Sequence, residues 1–123
     1  MPKILLSINP EHVENIIKGI KTYEYRKVRC RENIDTIIIY STSPVMRVIG
    51  EAKILEVIDD TPDRVWEETS SQSGISEEFF CSYFKNKKRA IAYKLGTVIQ
   101  YKNMQSLMEY GITSAPQSFV YIA

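Results

Sequence analysis

The stretch Gly19–Lys27, GIKTYEYRK, decides how the rest of the chain is read. Written as a strand, its side chains alternate: Thr22, Glu24 and Arg26 leave one face, and Tyr23, Tyr25 and Lys27 the other. A half-buried strand turns its apolar face to the core, which here is the tyrosine face. A threonine, a carboxylate and a guanidinium then stand in a row on the opposite face, with Lys21 at the entrance. Such a row is either a solvated surface or the floor of a cleft.

Elements on both sides of this strand follow from local signals. Lys3–Ile8, KILLSI, is apolar enough for a buried strand. Asn9 is a good N-cap and Pro10 suits the first helical position. Val13, Ile16 and Ile17 recur at helical spacing, and Gly19 ends the helix. The opening stretch is the second strand, extending to about Val28. Asp35–Ser41, DTIIIYS, is a continuous apolar run expected of a central strand, followed by a turn at Pro44. RVIGEAKILEVID is a long strand whose Gly50 signals a bulge or a close approach by another backbone. Thr61 and Pro62 open a short helix, and Ser76 caps another with Glu77 and Glu78 in its first turn. Phe79 with Tyr83, and Phe80 with Phe84, give that helix an aromatic face expected to be core. RAIAYKLGTVIQY reads as one strand or two broken at Gly96, MQSLMEYG as a short helix, and QSFVYIA as a closing strand. The pattern predicts one α+β domain over residues 1–123, a curved mixed sheet or small barrel with flanking helices.

Composition narrows the class further. With 123 residues and 44% hydrophobic residues, the chain can build one real core. It has no run long enough for a membrane span, and its N-terminus lacks a cleavable-leader pattern, so no membrane partner is expected. Cys30, Cys81 and a single histidine, His12, form no metal-ligand pattern, so neither metal nor cofactor is expected. The isolated cysteines read as reduced thiols of a cytoplasmic protein. His12 reads as a solvated first-turn residue.

Charge is unevenly placed around a net +1. Lys18, Lys21, Arg26, Lys27, Arg29 and Arg31 stand against Glu24 alone, and Lys85, Lys87, Lys88, Arg89 and Lys94 form a second basic segment. Nine acids between Glu51 and Glu78 face only Lys53 and Arg64. The two basic segments are either scattered solvated charge or, if they meet, a phosphate-attracting face. The acidic stretch 59–78 offers a surface for a protein partner.

The order of these elements and four segments resemble the ASCH domain family of the PUA-like superfamily. The segments are LLSINPEHVENIIKGIKTYEYRK, IYSTSPVMRVIGEAKI, RVWEETSSQSGISEEFFCSYF and APQSFVYI. The resemblance implies a PUA-like small β-barrel of about five to seven mixed strands. It also implies recognition of RNA or a nucleotide, with a role in regulating translation or transcription. The implied ligand-binding residues are Lys21, Thr22, Glu24, Arg26, Ser41, Ser43, Gln117 and Ser118. Lys27, Arg29, Arg31, Lys85, Lys87, Lys88 and Arg89 would flank them as a basic patch. One branch of the family deacetylates acetylated cytidine without a metal, a lysine activating a threonine hydroxyl on this strand. The resemblance puts the lysine at Lys21 and the nucleophile's position at Glu24, with Thr22 nearer the strand's start. A metal-independent amidohydrolase using Lys21 and Glu24 is therefore the alternative reading.

Overall fold

A computed structural model of the chain describes residues 3–122; Met1, Pro2 and Ala123, which complete the one-domain reading, lie outside the described residues. Strand β1 (Lys3–Ile8) leads into helix α1 (Pro10–Ile17), then β2 (Tyr23–Arg26), β3 (Thr36–Ser41) and β4 (Arg47–Asp60). Helices α2 (Pro62–Thr69) and α3 (Glu77–Tyr83) follow, joined through a 3-10 turn at Ser70–Gln72. Strand β5 (Ala90–Gln105), a 3-10 turn at Leu107–Tyr110 and β6 (Phe119–Ile122) complete the chain. The strands form one six-stranded mixed sheet in the order β2-β5-β4-β3-β1-β6, with β1 and β3 parallel and the other pairs antiparallel. This is the expected α+β class, a curled half-barrel with flanking helices.

The curl is visible in one bond. Arg26 on β2 donates from Nη2 to the carbonyl of Ser7 on β1 at 2.8 Å, although β5, β4 and β3 separate those strands in the sheet. The bend is taken up by β4 and β5, whose register slips at Val48/Gly50, Ala52/Ile54 and Ile54/Glu56. Each slip increases local twist and re-aims the strand.

The continuous apolar runs are explained by burial on both faces. Ile4, Leu6 and Ile8 of β1 and Ile37 and Ile39 of β3 enter the barrel core with Tyr93 and Leu95 of β5. Leu5, Ile38 and Tyr40 point the other way and pack with Val48 under the Leu107–Ile112 segment. A third cluster holds Tyr23 and Tyr25 beneath α2 and α3, through Val65, Phe80 and Phe84. The helix caps also form: Asn9 Oδ1 accepts from the Glu11 amide at 3.0 Å, and Ser76 Oγ accepts from the Phe79 amide at 3.1 Å.

Of the two readings of RAIAYKLGTVIQY, the single strand holds: β5 is continuous through Gly96, where the missing Cβ makes room for the Leu55 side chain. Two expectations change. Strand β2 ends at Arg26 rather than about Val28. The short helix expected at MQSLMEYG is a 3-10 turn confined to Leu107–Tyr110, with Ser106 and Glu109 in a capping box and Met104 and Gln105 still in β5. The close approach expected at Gly50 is present: a Cβ there would lie 2.3 Å from the Ile99 carbonyl oxygen of β5. Since that obstacle is backbone, Gly50→Ala is expected to destabilise the fold by about 1–3 kcal/mol in urea unfolding.

Candidate functional site

Both faces of β2 are buried, so the polar row is neither a solvated surface nor the outside of the sheet. The tyrosine face packs under the helices, while Glu24 and Arg26 point into the mouth of the curled sheet, where Glu24 pairs in register with Tyr93. Lys21, Glu24 and Arg26 are 3%, 6% and 9% exposed. Buried charge of this kind is stable only when paired and hydrogen-bonded. Arg26 donates from Nε and Nη2 to Glu24 Oε2 at 3.1 and 2.8 Å, a fork-like pairing on one carboxylate oxygen. Lys21 Nζ donates to the Ser73 carbonyl at 3.0 Å, lies 4.8 Å from the centre of the Tyr25 ring, and stands 3.8 Å from Glu24 Oε1. That last distance is an ion pair too long for a hydrogen bond. The cluster carries two cations and one anion, and the ammonium and Oε1 retain bonding capacity.

The loop after α2 holds the lysine in place. The Thr22 amide donates to the Gln72 carbonyl at 3.0 Å, and Ser73 Oγ folds the loop by bonding to both main-chain groups of Ile75. Gly74 adopts φ +68°, and a Cβ there would sit 2.5 Å from Lys21 Cβ. SSQSG is thus a clamp on Lys21; only its glycine hinted at this in the sequence.

These side chains floor a cleft of about 190 Å3. Ser7, Ile8 and Asn9 form its β1 side, and Tyr25, Ile75, Phe79 and Tyr83 supply apolar walls. His12 also lines it. The expected solvated residue instead sets its ring edge-on to Phe79, at 5.5 Å between centroids and 74° between planes. Its Nδ1 is buried with no hydrogen-bond partner among the described residues. Phe79, expected in the core, is 49% exposed and forms the lip. Burial lowers the pKa of Lys21, opposed by the Glu24 carboxylate and assisted by the Arg26 guanidinium. Burial also lowers His12, with the Lys21 charge acting in the same direction. The Tyr25 hydroxyl, hydrogen-bonded to Thr69 at 2.7 Å, is pushed up to about 12 by burial and stays protonated.

The other candidate residues fall outside the lining. Thr22 directs its hydroxyl to Gln72 Oε1 at 3.2 Å. Ser41 is buried opposite Ile8 in the β1–β3 register, and Ser43 follows in the exposed turn. Gln117 and Ser118 adjoin Pro116, whose carbonyl accepts from Ser7 Oγ at 2.8 Å. Ser41 thus lies beside the end of β1, and the segments carrying the other three are bonded to that end through Thr42 and Pro116. In the basic segments, Lys27 lies over the Tyr83 ring at 4.6 Å, on the side of α3 that leads into Lys85, Lys87 and Lys88. Arg89 is held by Asp59, Arg29 lies 4.0 Å from Glu32, and Arg31 stacks on Tyr121 at 3.9 Å. Arg29, Arg31 and Arg89 therefore each have a side-chain neighbour of their own, and Lys27 touches the helix that precedes the second basic segment. Acids of the 59–78 stretch line a separate groove between α2 and α3 with Trp66 and Lys87, sharing no residue with the cleft. Tyr40 and Tyr93 are core residues, and Trp66 packs against Phe80. Both cysteines are free, Cys30 buried and Cys81 exposed. No helix among the described residues is long and apolar enough to cross a membrane.

The model of the ASCH domain family matches residues 6–111. The fold superposes on the crystal structure of ASCH from Zymomonas mobilis with a TM-score of 0.89, covering 98% of this chain and 87% of that one at 25% identity. A Zymomonas mobilis protein named ASCH domain-containing ribonuclease is 29% identical over 92 residues, 74% of this chain and 62% of its own length. The ATP synthase subunit alpha of Ureaplasma parvum is 27% identical over 120 residues, which are 97% of this chain. This chain spans only 15% of the length of that protein.

Removing the anion from the cluster would leave two cations buried together. Glu24→Ala is expected to destabilise the protein by about 3–5 kcal/mol, measured by urea unfolding at neutral pH. A loss under 1 kcal/mol would show that the cluster is hydrated rather than buried.

Proposed function

The chain belongs to the ASCH domain family, and we propose that it is an RNA-recognition domain whose cleft takes one nucleotide unit. The observation that carries this reading is the buried Lys21–Glu24–Arg26 cluster at the base of an aromatic-walled cleft. Two cations against one carboxylate favour an anionic or carbonyl-bearing group. The uncommitted Glu24 Oε1 accepts from an exocyclic amine or a sugar hydroxyl. The walls suit the flat face of a base. At about 190 Å3 the cleft is below the ~300 Å3 typical of drug-sized ligands and suits a small unit. The relative named as a ribonuclease supports RNA as the ligand class. A role in translation or transcription would follow from the RNA bound.

A second reading adds a reaction at the same cluster: removal of an acyl group from a modified nucleoside such as acetylated cytidine. It is favoured by the lowered pKa of Lys21 and its 3.8 Å separation from Glu24. Neutral Lys21 would take a proton from a water molecule, whose oxygen attacks the amide carbonyl. The C–N bond then breaks, acetate is released, and the departing amine takes back the proton. Water serves as nucleophile here because Thr22 is turned towards Gln72.

One titration tests and separates the readings. Isotope-labelled protein is mixed with a single-stranded RNA tetranucleotide, then with acetylated cytidine, across a pH and salt series. The recognition reading predicts amide shifts at His12, Lys21, Glu24 and Arg26 and weaker binding with added salt. It also predicts affinity that falls as pH rises through the lowered Lys21 pKa, because the ammonium is the binding form. Hydrolysis would instead release acetate, at a rate rising over that pH range. Shifts confined to Lys85–Arg89, or no response to RNA, would overturn the recognition reading.

A further inference from the structure

The cleft does not end at Phe79. A second groove, of about 690 Å3, begins on the other side of the ring and shares Asn9, His12, Ile75 and Phe79 with the cleft. His12 and Phe79 are thus a ridge between two connected compartments. We propose that the ligand is an RNA segment of at least two nucleotides, its second base stacked on Phe79 and lying in this groove. The proposal rests on the recognition reading and specifies its ligand.

Three observations support it. First, Phe79 is positioned as a platform. Its amide is fixed by the Ser76 cap, His12 meets it edge-on, and the Tyr83 ring lies nearly parallel at 8°, 6.5 Å away between centroids. With these two neighbours in place, half of the residue remains exposed. Exposed aromatic faces beside a cationic site are the elements with which proteins hold successive bases of a single strand. Second, the groove is lined about equally by apolar and polar groups, the latter including hydroxyls. Ile20, 56% exposed, forms one side, and Ser70, Ser73 and Ser76 line it. Third, its charge differs from the cleft's. It contains Glu11 but no lysine or arginine, so it suits the neutral base and sugar of the second unit. The phosphate is left to Lys21 and Arg26. This division explains why Phe79 is not buried with Phe80 and Phe84 in the core below.

The test compares cytidine 5′-monophosphate with the 5′-phosphorylated dinucleotide of two cytidines, by calorimetric titration. Wild-type protein, Phe79→Ala and Phe79→Trp are used, each checked for folding by urea unfolding. Wild type is expected to bind the dinucleotide ~5- to 150-fold more tightly than the mononucleotide, the range of one base stacked on an aromatic ring. Phe79→Ala should bring that ratio below about threefold, and Phe79→Trp should preserve it. Ile20→Ser, on the groove side only, should also lower the ratio. A wild-type ratio near one, or a ratio retained in Phe79→Ala, would overturn the two-compartment site while leaving the recognition reading standing. Failure of both ligands and of longer RNA to bind would overturn both.

Discussion

The structure depends on the Arg26 guanidinium. It joins the Glu24 carboxylate on its own strand to the Ser7 carbonyl on a strand separated from it by three others in the sheet. A flat sheet cannot make that connection. The register slips of β4 and β5 bend the sheet, and Arg26 spans the mouth that results. An arginine suits this position because its planar fork serves two acceptors at once and keeps its charge. Burying it requires a counter-charge, which Glu24 supplies. The closure of the half-barrel and the charge pattern of the cleft are therefore one arrangement.

The arrangement is incomplete without a further group. Glu24 uses one oxygen on Arg26 and turns the other towards an ammonium too distant for a hydrogen bond. Lys21 is held by a carbonyl and an aromatic ring, with Gly74 pressed against its stem. A site intended only for stability would close that gap or replace the lysine with an apolar residue. Instead it is held rigidly from behind and left open in front, as expected where a ligand is to complete the bonding. His12, with an unpartnered buried nitrogen, stands at the same opening.

Much of this was legible in the sequence because its causes are local. Asn9–Pro10 and Ser76 mark helix starts through bonds to neighbouring amides, and the isoleucine run of β3 reports burial on both faces. Gly50 announced a close approach because no other residue tolerates one. The shared face of Glu24 and Arg26 was visible from strand alternation, with Lys21 at the strand's entrance. Its direction was not: alternation shows that two faces differ, whereas the curl decides that both are inside. His12 and Phe79 were misread for a related reason. A first-turn histidine and a helical phenylalanine have ordinary local roles, and only the packing of α1 against the start of α3 makes them a ridge. Ser41, Ser43, Gln117 and Ser118 were expected to bind the ligand, but it is Ser7 and Ile8, bonded to Pro116 and paired with Ser41, that line the cleft. Gly96 left one strand or two open in the sequence, because a glycine can break a strand or make space for a side chain from the next one, and here it does the latter.

The central claim is that Lys21 is kept for a ligand and not for the fold. Paired measurement of urea unfolding and RNA binding on Lys21→Met tests it most directly. Methionine fills the same channel without a charge, and Glu24 keeps Arg26 as its partner. Because Lys21 is the excess cation of the cluster, its removal leaves the Glu24–Arg26 pair balanced and strands no buried charge without a partner. The account predicts an unfolding free energy equal to or above that of wild type, together with RNA affinity reduced by at least tenfold. A protein that is strongly destabilised yet, where folded, binds RNA as tightly as wild type would show that Lys21 serves the fold and would contradict the account.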